Sequence, residues 1–300
     1  MSLIESALAK LRRGTESPPA RPLSAPRPSI VVAAAAKVAS ALPEPVAELP
    51  EPATRIPIDM RALREGGYLP QAGLERRFAD QYRHIKRPLI EKALAGGPDM
   101  RLIMVSSALP GDGKTFTSIN LALSMARERD ASVLLVDADS ARARISEILG
   151  VRGMPGLLDA LADPSVDIES LVVGTDVRGL QILPSGKFVE GATELLASAR
   201  MGQTVARLGT RNPRRLILFD SAPLLASSEA RVLMRISGQL VLVARVGVTP
   251  HRALADALAK VDRAKLQGLV LNHVPYRQRE GYYYGYIGYG GPPPDEAHPP

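Results

Sequence analysis

Three stretches carry side chains that could do chemistry together. The first is "ALPGDGKT" (Ala108 to Thr115), an A-x-x-x-x-G-K-T run between an apolar segment and a helical one. Such a loop cradles phosphates: Gly111 and Gly113 let the backbone bend so that its N–H groups point inward. Lys114 reaches the β/γ-phosphates, the Thr115 hydroxyl coordinates Mg²⁺, and the following helix adds the positive end of its dipole. Gly111, Asp112, Gly113, Lys114, Thr115 and Phe116 are therefore the expected nucleotide contacts. Lys114 is expected to serve phosphates and to contribute nothing to the core. The second and third stretches, "VLLVDADS" and "LILFDSAP", end strands with Asp137, Asp139 and Asp220. Ligands of open parallel sheets bind at the carboxyl ends of strands, so the three carboxylates can converge on one Mg²⁺–nucleotide.

Elements that would position these groups follow from periodicity. Apolar runs at 101–107, 132–138, 180–185, 215–221, 239–246 and 266–274 alternate with helical patterns beginning at Lys114, near Ala143, within Ala192–Leu208, near Ser227 and at Pro250. Near-continuous apolar strands alternating with helices predict an α/β fold, a doubly wound and mostly parallel sheet with helices on both faces. Upstream, Leu74 to Ala95 has a helical period that Pro88 kinks or divides. The predicted organisation is an amphipathic helix (1–16), a disordered Pro/Ala-rich linker (17–57) holding ten prolines, a P-loop domain (58–275) and a flexible tail (276–300).

Composition narrows the function. The chain has 300 residues, no cysteine and four scattered histidines, which removes thiol chemistry and a histidine metal centre. No apolar run is long enough for a spanning helix, so neither a membrane crossing nor a secretory signal is expected. The net charge of +7 is spread without a basic block, so no nucleic-acid partner is expected. Six of eight tyrosines sit between Tyr276 and Tyr289 among glycines. Alone, such a tail reads most simply as a sticky low-complexity segment.

The order of phosphate loop, "LLVDAD" and "LILFDSAP" resembles the deviant P-loop ATPases, a superfamily holding the ParA/MinD partitioning proteins and the bacterial tyrosine kinases. The partitioning branch carries an early loop lysine where this chain has Leu109. From about Asp59 to Gly290 the chain is similar instead to the bacterial tyrosine kinases, in "ATELLASARM" (192–201), "RLILFDSAPLLASSEARVL" (215–233), "VARVGVTPHRAL" (243–254), "LQGLVLNHV" (266–274) and the tail. Similarity in "IDMRALREGGYLP" (58–70), "YRHIKRPLI" (82–90) and "SLIESALAKLRR" points to the subgroup of exosortase-linked exopolysaccharide clusters.

That resemblance implies an ATP- and Mg²⁺-dependent tyrosine autokinase whose acceptors, in trans, are Tyr282, Tyr283, Tyr284, Tyr286 and Tyr289. It implies Lys114, Asp137 and Asp139 in catalysis, with Thr115, Asp137 and Asp220 around the metal; how Asp137 and Asp139 divide their roles stays open. Asn272, at the end of the last predicted strand, stands where related ATPases contact the base, and an Asn at a strand end is as often a turn former. It implies ring assembly through Asp80, Arg83 and Lys86, which stand where the family has E-x-x-R-x-x-R. Implied partners are a separate transmembrane, Wzz-like chain-length regulator as activator and a cognate tyrosine phosphatase, with the chain cytoplasmic and peripheral at the inner membrane. Ala141 stands at the arginine of the usual D-x-D-x-R, with Arg142 and Arg144 nearby. The alternative is a ParA/MinD-like ATPase switch without kinase activity.

Overall fold

The computed structural model describes residues 52–187 and 189–274. In chain order its elements are β1 (Thr54–Ile56), α1 (Met60–Glu65), α2 (Glu75–Ala95), a 3-10 turn (Pro98–Arg101), β2 (Leu102–Ser107), α3 (Lys114–Met125), β3 (Ser132–Ala138), α4 (Arg144–Ile148) and α5 (Leu157–Ala162). A second 3-10 turn (Ile168–Leu171) leads to β4 (Val173–Thr175), β5 (Leu180–Leu183), α6 (Ala192–Leu196), α7 (Ala199–Arg211), β6 (Arg215–Ser221), α8 (Ser228–Ile236), β7 (Gln239–Arg245), α9 (His251–Ala259) and β8 (Leu266–Asn272).

The eight strands make one sheet in the order β1-β4-β5-β3-β6-β2-β7-β8, parallel throughout except for the β4–β5 pair. Strand alternation sends successive side chains to opposite faces, and both faces are covered. On β2, Ile103 and Val105 join the cluster under α2 and α3, which includes Leu89, Ile119 and Met125. Leu102 and Met104 join the opposite cluster, under α5, α7 and α8, with Leu158, Val205 and Leu233. This two-sided burial is why the central strands read as unbroken apolar runs.

One expectation needs correcting, and of the two alternatives at Pro88 one is excluded. Thr54–Ile56, inside the stretch read as disordered linker, is a strand registered on Val173–Thr175 of β4; backbone pairing with a distant strand overrides its local proline-rich composition. Pro88 does not divide α2, which runs 21 residues through it. Tyr82, Lys86, Leu89 and Ala93 form a buried stripe at three- and four-residue spacing, and packing of that stripe offsets the hydrogen bond that proline cannot donate. Residues 1–16 and the tail lie outside the described residues, so the structure does not bear on the amphipathic helix or the flexible tail.

Candidate active site at the phosphate loop

Because β2, β3, β6, β7 and β8 run parallel, their carboxyl ends share one edge of the sheet. Register sets Asp137 opposite Asp220 and Arg245 opposite Asn272. The loop between β2 and α3 lies over this edge. Gly113 opens α3 in the left-handed region (φ +98°), and a Cβ there would stand 1.8 Å from Asn272 Nδ2. Only glycine admits both the backbone and the approach. Asn272 Nδ2 donates to Asp112 O at 3.1 Å, and the Asp112 carboxylate accepts from Leu109 N at 3.1 Å and from Thr249 Oγ1 at 2.6 Å. The loop is thus pinned at both its start and its apex.

Inside the loop, the Lys114 ammonium contacts Asp139 Oδ2 at 2.8 Å, both groups buried. This corrects the expectation that Lys114 contributes nothing to the fold, since either charge without the other would be costly to bury. Thr115 Oγ1 donates to Asp220 Oδ2 at 2.8 Å, and Ser118 Oγ donates to Asp220 Oδ1 at 2.9 Å. Burial pushes the Asp220 carboxyl up from the usual range, against the pull of Lys114, Thr115 and Ser118. Asp137 Oδ2 accepts from the Ser146 N–H at 2.8 Å and from its hydroxyl at 2.7 Å, whereas Oδ1 is buried with no hydrogen-bond partner. Its carboxyl is pushed up to about 7, chiefly by burial, with the Ser146 bonds opposing and the charges of Asp220 and Asp139 adding to the rise.

A cleft of 220 Å³ opens beside Asp139, between Pro110, Ala141 and Pro223 and reaching Glu229. Small apolar walls, with the carboxylates of Asp139 and Glu229 and the guanidinium of Arg142 among them, suit a flat aromatic group. Phe116 is half-buried, its ring edge-on to Phe78 of α2 at 6.2 Å, which occupies the side chain and leaves the backbone N–H of the first helical turn as the group that position offers.

The structure separates the three residues expected to assemble rings. Asp80 and Arg83 pair with each other at 3.0 Å, largely exposed on α2. Lys86 is buried and turned inward, donating to Ser124 O and pairing with Glu128 Oε1, both at 2.7 Å. Its charge is satisfied within the chain, so Lys86 does not share the exposed face that carries Asp80 and Arg83. Tyr282, Tyr283, Tyr284, Tyr286 and Tyr289 lie outside the described residues.

The AAA domain family matches residues 100–267. Over 211 residues the chain is 31% identical to the tyrosine-protein kinase YwqD of Bacillus subtilis, covering 69% of this chain and 86% of that one. It is 32% identical over 191 residues to the tyrosine-protein kinase wzc of Salmonella typhimurium, 63% of this chain but 26% of that protein. The solved kinase domain of the Escherichia coli tyrosine kinase ETK superposes with a TM-score of 0.60 at 26% identity, covering 75% of this chain and 98% of that one. The chain belongs to the bacterial tyrosine kinases of the deviant P-loop ATPase superfamily. It spans about a quarter of the length of the Salmonella relative.

In this bacterial tyrosine kinase, Leu109, at the position of the partitioning lysine, packs against the core cluster. Sequence reasoning missed Ser118, Ser146 and Thr249. Ser118 was detectable, four residues after Lys114 and so on its face of α3. Ser146 and Thr249 reach the site through tertiary contacts and carry no local signal.

Proposed function

We propose that the chain is a protein-tyrosine autokinase that moves the γ-phosphoryl of ATP onto the tyrosine cluster Tyr282, Tyr283, Tyr284, Tyr286 and Tyr289 of a second copy. One observation carries the reading: Lys114, Thr115, Asp139 and Asp220 interlock within 2.8 Å contacts beneath a loop that only glycine can close.

The residues fit a magnesium–nucleotide. Asp137 Oδ1 is a buried acceptor without a partner. Thr115 and Asp220 add oxygens beside it, and among the described residues no three His, Asp or Glu side chains form a cage of their own. Mg²⁺ characteristically takes few protein oxygens and completes its shell with water and phosphate. Thr115, Asp137 and Asp220 would hold the ion, which supplies charge neutralisation on the phosphates. Gly111, Asp112, Gly113 and Phe116 offer backbone groups of the loop and first turn, and Asn272, bonded to Asp112 O, would face the base.

Within the reaction, Lys114 exchanges its bond to Asp139 for a phosphate oxygen, and the freed carboxylate accepts the proton of the incoming phenol. A phenol with a pKa near 10 is neutral at pH 7 and needs such an acceptor. The phenolate oxygen forms the new bond to the γ-phosphorus, the bridging P–O bond breaks, and ADP leaves.

The reading extends to a ring-forming kinase acting in exopolysaccharide chain-length control and export. A separate transmembrane regulator would activate it and bring it to the inner membrane, and a tyrosine phosphatase would reset it. No helix among the described residues is long and apolar enough to cross a membrane. The test is incubation with labelled ATP and Mg²⁺ followed by peptide mapping. Phosphotyrosine between Tyr276 and Tyr289 is expected; steady ATP hydrolysis without it would install the ATPase-switch reading.

A further inference from the structure

Across the Ser140–Arg142 turn from the Asp139 cleft lies a second cavity, of 390 Å³. The two share Ser140, Ala141 and Arg142 as a common wall. Unlike the first, this cavity is lined by three cations, Arg142, Arg152 and Lys187, and by no carboxylate. Among the described residues the Arg142 and Lys187 side chains have no charged partner, and Arg152 has a loose one, Glu147 at 3.8 Å. Three like charges around one hollow repel each other unless an anion joins them.

The walls are held in place. Gly186 has φ +90°, and a Cβ there would meet Asp159 Oδ2 at 2.4 Å. That same oxygen accepts from Gly156 N at 2.8 Å and Lys187 N at 3.1 Å, which fixes the backbone bearing Lys187 to the start of α5. On the other wall, Arg142 N and Ala143 N both donate to Asp139 O, at 3.0 and 2.7 Å, and Ala143 is held in the left-handed region (φ 43°), unusual for a residue with a Cβ. The turn that carries Arg142 is therefore anchored on the proposed proton acceptor itself.

We propose that this cavity seats a phosphotyrosine from the tail of a second copy, holding neighbouring tyrosines at the Asp139 cleft. The inference rests on the autokinase reading and says how it proceeds through several acceptors. A neutral tyrosine gains only weak cation–π contacts from three cations, whereas a phosphate ester of nearly two charges makes charge-assisted bonds to arginine and lysine. Tyr282, Tyr283, Tyr284, Tyr286 and Tyr289 are one to three residues apart. In extended chain that is about 3 to 10 Å, the scale of two cavities sharing one turn. Once the first phosphate is seated, the next acceptor is delivered intramolecularly, and later transfers outpace the first.

The test uses the full chain and a fluorescent peptide of residues 279–291, with and without phosphate on Tyr284. Anisotropy is expected to show the phosphopeptide bound about tenfold more tightly. Arg152→Gln with Lys187→Gln should erase that preference, and Lys187→Arg should keep it. By mass spectrometry the double variant should form singly phosphorylated chains at the wild-type rate and accumulate them, where wild type moves on to multiple phosphates. An unchanged preference or unchanged timing of multiple phosphorylation in the double variant overturns the proposal, as does equal competition by inorganic phosphate. Because anisotropy needs no catalysis, the two readings fail separately. Tail labelling without phosphopeptide preference removes the cavity alone, whereas preference without any labelling removes the kinase reading and the delivery of further acceptors with it, leaving only a phosphotyrosine-binding cavity.

Discussion

The Lys114–Asp139 pair gives one residue two duties. Replacing Lys114 with Met should abolish phosphoryl transfer and also leave a buried carboxylate without its cation, a loss of about 3 kcal/mol. Urea denaturation would measure it, and adding Asp139→Asn should recover part of the loss. Equal stability of Lys114→Met and wild type would mean that the pair contributes nothing. Gly113 offers a second test. Alanine there pays about 1–2 kcal/mol for the left-handed backbone and must push Asn272 off the loop. Thermal denaturation and ATP titration should both worsen, and pairing Gly113→Ala with Asn272→Gly should relieve the steric part only. Full recovery would show that the backbone is unstrained.

At the scale of elements, α2 separates into an inner and an outer face. Arg83→Glu should shift the light-scattering mass toward monomer and slow labelling in trans, since Arg83 stands exposed. Lys86→Met should leave the mass unchanged, because its ammonium is used on α3 and the residues just after it. An equal mass shift in both variants would refute that division. The sequence did not disclose it: a lysine three residues after an arginine reads as solvated charge, and only the carbonyl of Ser124 and the carboxylate of Glu128 turn it inward. The doubly wound sheet was legible because β2, β3, β6 and β7 are buried on both faces and so carry unbroken apolar stretches at 102–105, 133–136, 216–219 and 240–244. β1 and β4 were not, being three residues each and paired with one another across a long stretch of sequence. In the site, the loop and three aspartates were legible from residue type and strand ends. Their hydroxyl partners were not, because contacts such as Ser146 to Asp137 depend on how the chain returns to the sheet edge.

For the whole molecule, changing Tyr282, Tyr283, Tyr284, Tyr286 and Tyr289 to Phe keeps nearly all apolar area and removes the acceptor hydroxyls. This variant should bind ATP normally, lose most autophosphorylation, and still phosphorylate a Lys114→Met chain in trans. Absence of phosphotyrosine in that mixture, with the activating regulator segment present, would end the kinase reading. Five phosphates would add on the order of −10 charges to a chain of net +7, enough to make like-charged tails in a ring repel. The position of β2 carries a different consequence, in time. This strand delivers the phosphate loop, yet its two neighbours are β6 and β7, registered through Leu102 with Ile217 and Ile103 with Gln239. A ribosome therefore makes the loop long before either strand that holds it. The nascent chain carries an unpaired apolar β2 while more than half of the P-loop domain is still to be synthesised, and such a segment is a natural client for a chaperone.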